Sequence, residues 1–191
     1  MKPYIITTDT TCDLPEDYIK QHSIGIIPIY YNLNGTIYGD DNQLEPKAFY
    51  NIMRSGAMPT TMAANPDIVK NTFTRYLDEG FDILHIAFSS ALSGSCSVAE
   101  TVAVEIREER PDANIIIVDS LCASMGEGLL VHKAVELKEK GKTLDEVRDW
   151  LETNKLNICH IFTVDDLHHL HRGGRVSRTS AIIGSLINIK P

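Results

Sequence analysis

Short apolar runs alternate along this chain with longer stretches in which apolar residues return every three or four positions. The runs are Tyr4 to Thr7, Ile24 to Tyr31, Ile83 to Phe88, Ile115 to Val118 and Ile158 to Val164. Continuous apolar runs of this length suit strands buried on both faces, and the helical stretches after them suit the crossovers that parallel strands require. The pattern predicts an α/β fold: a Rossmann-like, mostly parallel sheet with helices on both faces. One antiparallel interruption is expected, because Asn34-Gly35 separates Ile29-Tyr30-Tyr31 from Thr36-Ile37-Tyr38 and both turn residues accept positive φ.

Helix ends are marked by cap chemistry. Asn65-Pro66 offers a capping side chain followed by a ring already at helical φ, and Ile68, Val69, Thr72, Phe73, Tyr76 and Leu77 then share one face up to Gly80. Ala99, Val102, Ala103 and Ile106 repeat at the same spacing until Pro111. Gly126 to Lys140 continues the pattern to Gly141, and Thr143-Leu144-Asp145-Glu146 reads as a capping box. A boundary near residue 160 separates an α/β domain, 1–160, from the beginning of a second domain, 161–191, too short for a core of its own.

Charge changes the picture by exclusion. Eighteen Lys and Arg against 26 Asp and Glu leave a net charge of -8, which disfavours nucleic acid and anionic lipid surfaces as partners. No apolar run approaches the roughly 18 residues of a membrane span, and the start, MKPYIITTDTT, lacks the apolar core of a secretory signal. A cytoplasmic protein is expected. Cys12, Cys96, Cys122 and Cys159 are far apart and form no C-x-x-C pair, so reduced and mostly buried thiols are expected.

The candidate chemistry lies where apolar runs end. Thr7-Thr8-Asp9-Thr10-Thr11, Ser89-Ser90-Ala91-Leu92-Ser93-Gly94-Ser95 and Asp119-Ser120 follow three of them, and Pro59-Thr60-Thr61 precedes the helix capped by Asn65. Ligands of open parallel sheets bind outside the carboxyl ends of the strands, so these clusters should converge. For any one cluster, turn and cap preferences explain Ser and Thr equally well. The clusters contain no Lys or Arg, which suits one carboxylate held by hydroxyls and helix-start N–H groups better than a polyphosphate.

The segments TDTTCDLP (Thr8 to Pro15), MPTT (Met58 to Thr61), SSALSGS (Ser89 to Ser95), VDS (Val118 to Ser120) and LHRGGRVS (Leu170 to Ser177) resemble, in order and spacing, the successive motifs of the DegV family of fatty-acid-binding proteins. The resemblance extends over essentially the whole chain. It implies a DegV-like two-domain fold with one long-chain fatty acid between the domains. It also implies a non-catalytic carrier role, in which the acid is presented to a separate fatty acid kinase for acyl-phosphate formation in phospholipid metabolism. By motif, Thr61 and Ser93 would hold the carboxylate and Gly94 would lend an N–H, with Thr60, Asp9 and Ser120 as further site residues. Arg175 would resemble the arginine near the kinase-docking surface. The fatty acid is then the ligand, no cofactor or metal is implied, and stable membrane insertion is not expected, although transient membrane contact is compatible.

Two departures from the family pattern carry expectations of their own. After Thr61 the family continues Ser-Gln-Pro, whereas Met62-Ala63-Ala64-Asn65-Pro66 stands here and predicts a more apolar mouth. Family members run on for roughly another hundred residues, a domain-sized piece, so the second, lipid-covering domain is expected to be incomplete. The rival reading is a Mg²⁺-dependent phosphotransferase or phosphatase with Asp9 as nucleophile, but that chemistry wants a second acid where Thr11 stands. Asp165, Asp166, His168, His169 and His171 have helical spacing for metal ligation, and surface histidines explain them as well. Gly126-Glu127-Gly128 lacks the third glycine of a dinucleotide loop.

Overall fold

The computed structural model of the chain describes residues 2–40, 42–163 and 167–177. The chain divides into two units, Met1–Ile158 and Cys159–Pro191. In the first, β1 (Tyr4–Asp9), β2 (Gly25–Ile27), β6 (Asp82–Ala87) and β7 (Ile115–Asp119) form a parallel sheet of order β2-β1-β6-β7. The chain steps from β1 outward to β2 and later returns to the other side of β1, so the strand order reverses between β1 and β6. That reversal opens the crevice where open α/β sheets take ligands.

Alternating side chains build two cores. Tyr4, Ile6, Leu84, Ile86 and Val118 face α5 (Met125–Glu139) and α6 (Leu144–Asn154), whereas Ile5, Ile27, Ile83 and Ile115 face α3 (Pro66–Asp78) and α4 (Ser95–Glu109). The helix starts follow the cap chemistry. Asn65 accepts the N–H groups of Asp67 and Ile68 at 2.9 and 3.4 Å, and Thr143 and Glu146 close a reciprocal capping box at 3.1 and 2.8 Å. Gly80 and Gly141, just past α3 and α5, have φ of +88° and +80°, the left-handed conformation of a helix stop.

A second, three-stranded antiparallel sheet, β4-β3-β5, comprises β3 (Tyr31–Leu33), β4 (Thr36–Tyr38) and β5 (Thr60–Thr61). Its hairpin turns at Asn34 and Gly35, with φ of +54° and +86°. The apolar run Ile24 to Tyr31 is therefore split between two sheets at Pro28, which has no N–H to give to a ladder. Two further helices, α1 (Glu16–Gln21) and α2 (Pro46–Arg54), complete this unit and bury no side chain fully, although Ala48, Phe49, Ile52 and Met53 give α2 one apolar face.

The fifth apolar run corrects the sequence reading. Residues 158–163 form no strand, and Ile161 and Phe162 are 96% and 74% exposed, while Val164 lies outside the described residues. Among the described residues no strand lies beside this run, so it has no ladder to join. In the second unit, α7 (Leu167–Arg172) leads into the turn at Gly173 and Gly174, where the Arg175 N–H donates to the Leu170 carbonyl at 2.9 Å. Asp165 and Asp166 lie outside the described residues.

The start of α5 touches the 3-10 turn Thr10–Cys12 backbone to backbone: a Cβ on Gly128 would stand 2.5 Å from the Cys12 carbonyl oxygen. Gly128→Ala should therefore push α5 off the turn and lower stability by about 1–3 kcal/mol in urea denaturation. An unchanged midpoint would show that the contact relaxes without cost.

Candidate functional site

Three loops meet at the carboxyl edge of the parallel sheet, tied by their own polar groups. The Asp9 Oδ2 atom, at the end of β1, accepts the Phe88 N–H at 2.8 Å. The loop after β6 is tied to the loop after β7 by Ser89 N–H to the Cys122 carbonyl at 3.0 Å and by Ser120 N–H to the Ala87 carbonyl at 3.1 Å. Asp119 accepts from the Ser90 N–H at 3.2 Å, the Ser90 hydroxyl at 2.5 Å and the Leu121 N–H at 3.1 Å. The acids at this edge therefore organise serines by accepting from them.

Ser93 and Gly94 form the start of α4. The Ser93 hydroxyl accepts the Ser95 N–H at 3.2 Å and lies 2.9 Å from the Ser95 hydroxyl, which in turn accepts the Ala64 N–H at 3.1 Å. Ala64 is three residues beyond Thr61, so β5 and the start of α4 are joined through Ser95. Thr60 and Thr61 pair with Asn32 and Tyr31 on β3 and are exposed. Gly94 is exposed with φ of -74°, and a Cβ there would meet only the Ala63 Cβ, at 3.8 Å. Neither backbone conformation nor packing within the chain requires glycine at that position.

Asp9 and Ser120 stand beneath this surface, 1% and 0% exposed. The Ser120 hydroxyl accepts the Cys122 N–H at 3.1 Å and shapes its own loop. Burial raises the pKa of the Asp9 carboxyl, against a smaller lowering by His85, and its Oδ1 has no hydrogen-bond partner among the described residues. The His85 Nε2 atom lies 3.8 Å from that oxygen, its Nδ1 is 3.0 Å from the Thr7 hydroxyl, and burial lowers its pKa. A carboxylate enclosed in this way has no approach to a phosphoryl group, which removes the geometric basis for Asp9 as a nucleophile.

Glu127 was not a sequence candidate. It is 0% exposed in the first turn of α5, with Oε1 2.9 Å from the Thr8 hydroxyl and Oε2 accepting from the Thr11 hydroxyl at 3.0 Å. Burial first, and the nearby Asp9 second, push its carboxyl up to about 8. The available signal was local, for Glu127 is the one acid between Ser120 and Val131. The same glycines that failed as a dinucleotide loop flank it inside a regular helix.

Around the rim the surface turns apolar: Met62, Leu121, Met125 and Leu129 are 37%, 44%, 56% and 41% exposed. Cys12, Cys96 and Cys122 are buried and Cys159 is exposed, all as free thiols. Arg175, in the second unit, is exposed and donates to the Gly173 carbonyl. Among the described residues, no group of three or more His, Cys, Asp or Glu could hold a metal ion, and no helix is long and apolar enough to cross a membrane.

The model of a family described as "Uncharacterised protein, DegV family" matches residues 4–191. The chain belongs to the DegV family. A DegV domain-containing protein of Clostridium perfringens is 46% identical to it over 193 residues, covering 100% of this chain and 66% of the relative. Among solved structures, a DegV family protein from Thermus thermophilus described by its fatty acid binding has a TM-score of 0.86 at 34% identity, covering 100% of this chain and 66% of that one. DegV from Bacillus subtilis, described as a fatty-acid-binding protein, has a TM-score of 0.81 at 29% identity, with 100% and 67% covered. The α/β fold with its helix-flanked parallel sheet is thus the DegV fold, and this chain spans about two thirds of the length of the DegV proteins it resembles.

The Glu127 environment fixes a pH dependence for this DegV chain. A carboxyl raised from 4.5 to about 8 on folding contributes its full stability below pH 4.5 and loses it as pH climbs through 8. The unfolding free energy in urea should fall by a few kcal/mol between about pH 5 and about pH 9, and Glu127→Gln should flatten that slope. A slope unchanged in the variant would place the titration elsewhere.

Proposed function

We propose that this chain binds a long-chain fatty acid, its carboxylate held by Thr61, Ser93 and the Gly94 N–H and its tail lying along the apolar surface beside them. The observation that carries this reading is the junction of β5 with the start of α4 through Ser95. It ties the segment that follows the exposed Thr61 to the half-buried Ser93 hydroxyl at the start of a 15-residue helix, whose N–H groups favour a single negative charge. The fatty-acid-binding descriptions of the Thermus thermophilus and Bacillus subtilis proteins support the same ligand class. About fifteen methylenes at ~0.8 kcal/mol each offer roughly 12 kcal/mol gross, so the tail supplies affinity and the donors orientation.

Mass spectrometry of organic extracts from the purified protein tests the ligand directly: a stoichiometric long-chain acid is expected, and none would overturn the reading. For the head group, Thr61→Val with Ser93→Ala, and separately Gly94→Ala, should each weaken palmitate binding about tenfold or more while leaving the urea midpoint unchanged. The glycine variant is informative because its methyl group has room in the free chain and would intrude only on a ligand. Wild-type affinity in both variants would remove the head-group assignment.

The carrier role extends the proposal. The bound acid is presented to a fatty acid kinase, with the exposed Arg175 turn as the contact and 161–191 as the beginning of the lipid-covering domain. Arg175→Ala should spare palmitate binding and reduce acyl-phosphate formation in a reconstituted kinase assay. Equal turnover by both forms would count against the contact.

A further inference from the structure

We infer that Glu127 is built into the fold as a neutral carboxylic acid and, by donating to Thr8, acts as the positioning residue that keeps the ligand-bearing rim assembled. The inference rests on proton counting. The Thr8 hydroxyl has one proton and lies 2.8 Å from the Ile86 carbonyl oxygen and 2.9 Å from Glu127 Oε1. A carbonyl oxygen can only accept and is the nearer of the two acceptors, so giving it the single Thr8 proton leaves the second contact to be filled by a proton from Glu127. Thr11 then donates to Oε2, the carbonyl oxygen of the acid, at 3.0 Å. A neutral carboxyl satisfies both contacts, whereas an ionised one would leave two acceptors facing each other in a site closed to water.

Among the described residues, the charged groups that act on the Glu127 carboxyl are acids, and the cation of the neighbourhood, Lys155 past the end of α6, acts on Cys122. From β1 Glu127 feels Asp9, and from the Thr10–Cys12 turn and its cap Cys12 and Asp13; Cys122 lies near it in the loop before α5. β6 carries His85 on the opposite face of the sheet, paired with Thr7, and α6 meets the shared core through Leu144, Val147 and Leu151. Loss of the proton to bulk base would therefore put a third acid beside Asp9 and Asp13.

The effect reaches the rim because Glu127 joins two of the segments that form it, the turn after β1 and the start of α5. Gly128 packs on the Cys12 carbonyl, and the Ser124 hydroxyl donates to Asp13 Oδ2 at 2.5 Å. Leu121 and Met125, exposed beside these contacts, belong to the surface assigned to the acyl tail, so the link to ligand rests on the fatty-acid reading above. The protonation state itself does not.

Palmitate affinity measured by calorimetry from about pH 6.5 to about pH 9.5 tests the coupling, read as the ratio of wild type to Glu127→Gln so that the ligand's own titration cancels. The glutamine amide can make both contacts at every pH. The ratio should be near one at the acid end and fall about tenfold or more at the alkaline end; a constant ratio overturns the coupling. Difference infrared spectra of the ligand-free protein test the proton separately. A protonated-carboxyl band at pH 7 that disappears at alkaline pH in wild type, and is missing in the variant, supports the assignment. Its absence in wild type at pH 7 overturns it whether or not the variant folds. No palmitate binding by wild type at any pH overturns the fatty-acid reading and the coupling together, and the infrared band by itself then decides whether Glu127 holds the proton.

Discussion

The parallel register of β1 against β6 is the constraint on which the rim depends. Pairing Thr8 with Ile86 leaves Asp9 beside Phe88, where one carboxylate oxygen can receive a main-chain N–H that the sheet no longer satisfies. A slip of one residue would carry Thr7 and Asp9 to the α5 face and Thr8 to the α3 face, and would separate Thr8 from Glu127. The loops that follow the strands are then fixed in relation to each other by Ser90 donating twice to Asp119 and by main-chain bonds between residues 87–90 and 120–122.

The electrostatics of this edge run opposite to those of most anion sites. Its acids outnumber its cations: Asp9 is buried and Asp119 half-buried, both accepting from hydroxyls or N–H groups, with Lys155 near Cys96 and Cys122. What remains on the outside are neutral donors and apolar side chains. Such a surface can solvate a single weak charge at the start of a helix and cannot neutralise a dense one, which separates it from phosphate-binding crevices built on the same sheet topology.

Much of this was legible in the sequence because local chemistry and global fold agree. Asn65-Pro66, Thr143 with Glu146, and Asn34-Gly35 each determine a backbone conformation by themselves, and each stands where that chemistry requires. Convergence of the hydroxyl clusters followed from the rule for parallel sheets rather than from any one motif. What failed did so for non-local reasons. Residues 158–163 have the composition of a strand but pair with no strand among the described residues, and Pro28 divides what hydropathy joins. Asp9 invited a nucleophile reading at a strand end because sequence does not show how deeply it is buried. Glu127 was hidden because a lone acid in a helix normally faces water.

The small antiparallel sheet has its own energetic standing. It contributes Leu33 to the buried side chains, and α2 beside it contributes none, although Tyr31 stacks on Tyr38 and meets Phe49 edge-on. A layer anchored so sparingly can unzip at a fraction of the cost of global unfolding, leaving the parallel sheet intact. Because β5 is a strand of that layer, Thr61 is carried by a sparsely buried part of this unit while Ser93 adjoins α4, which buries six side chains. A ligand held between them, as proposed above, would have a route of escape that does not require the domain to melt.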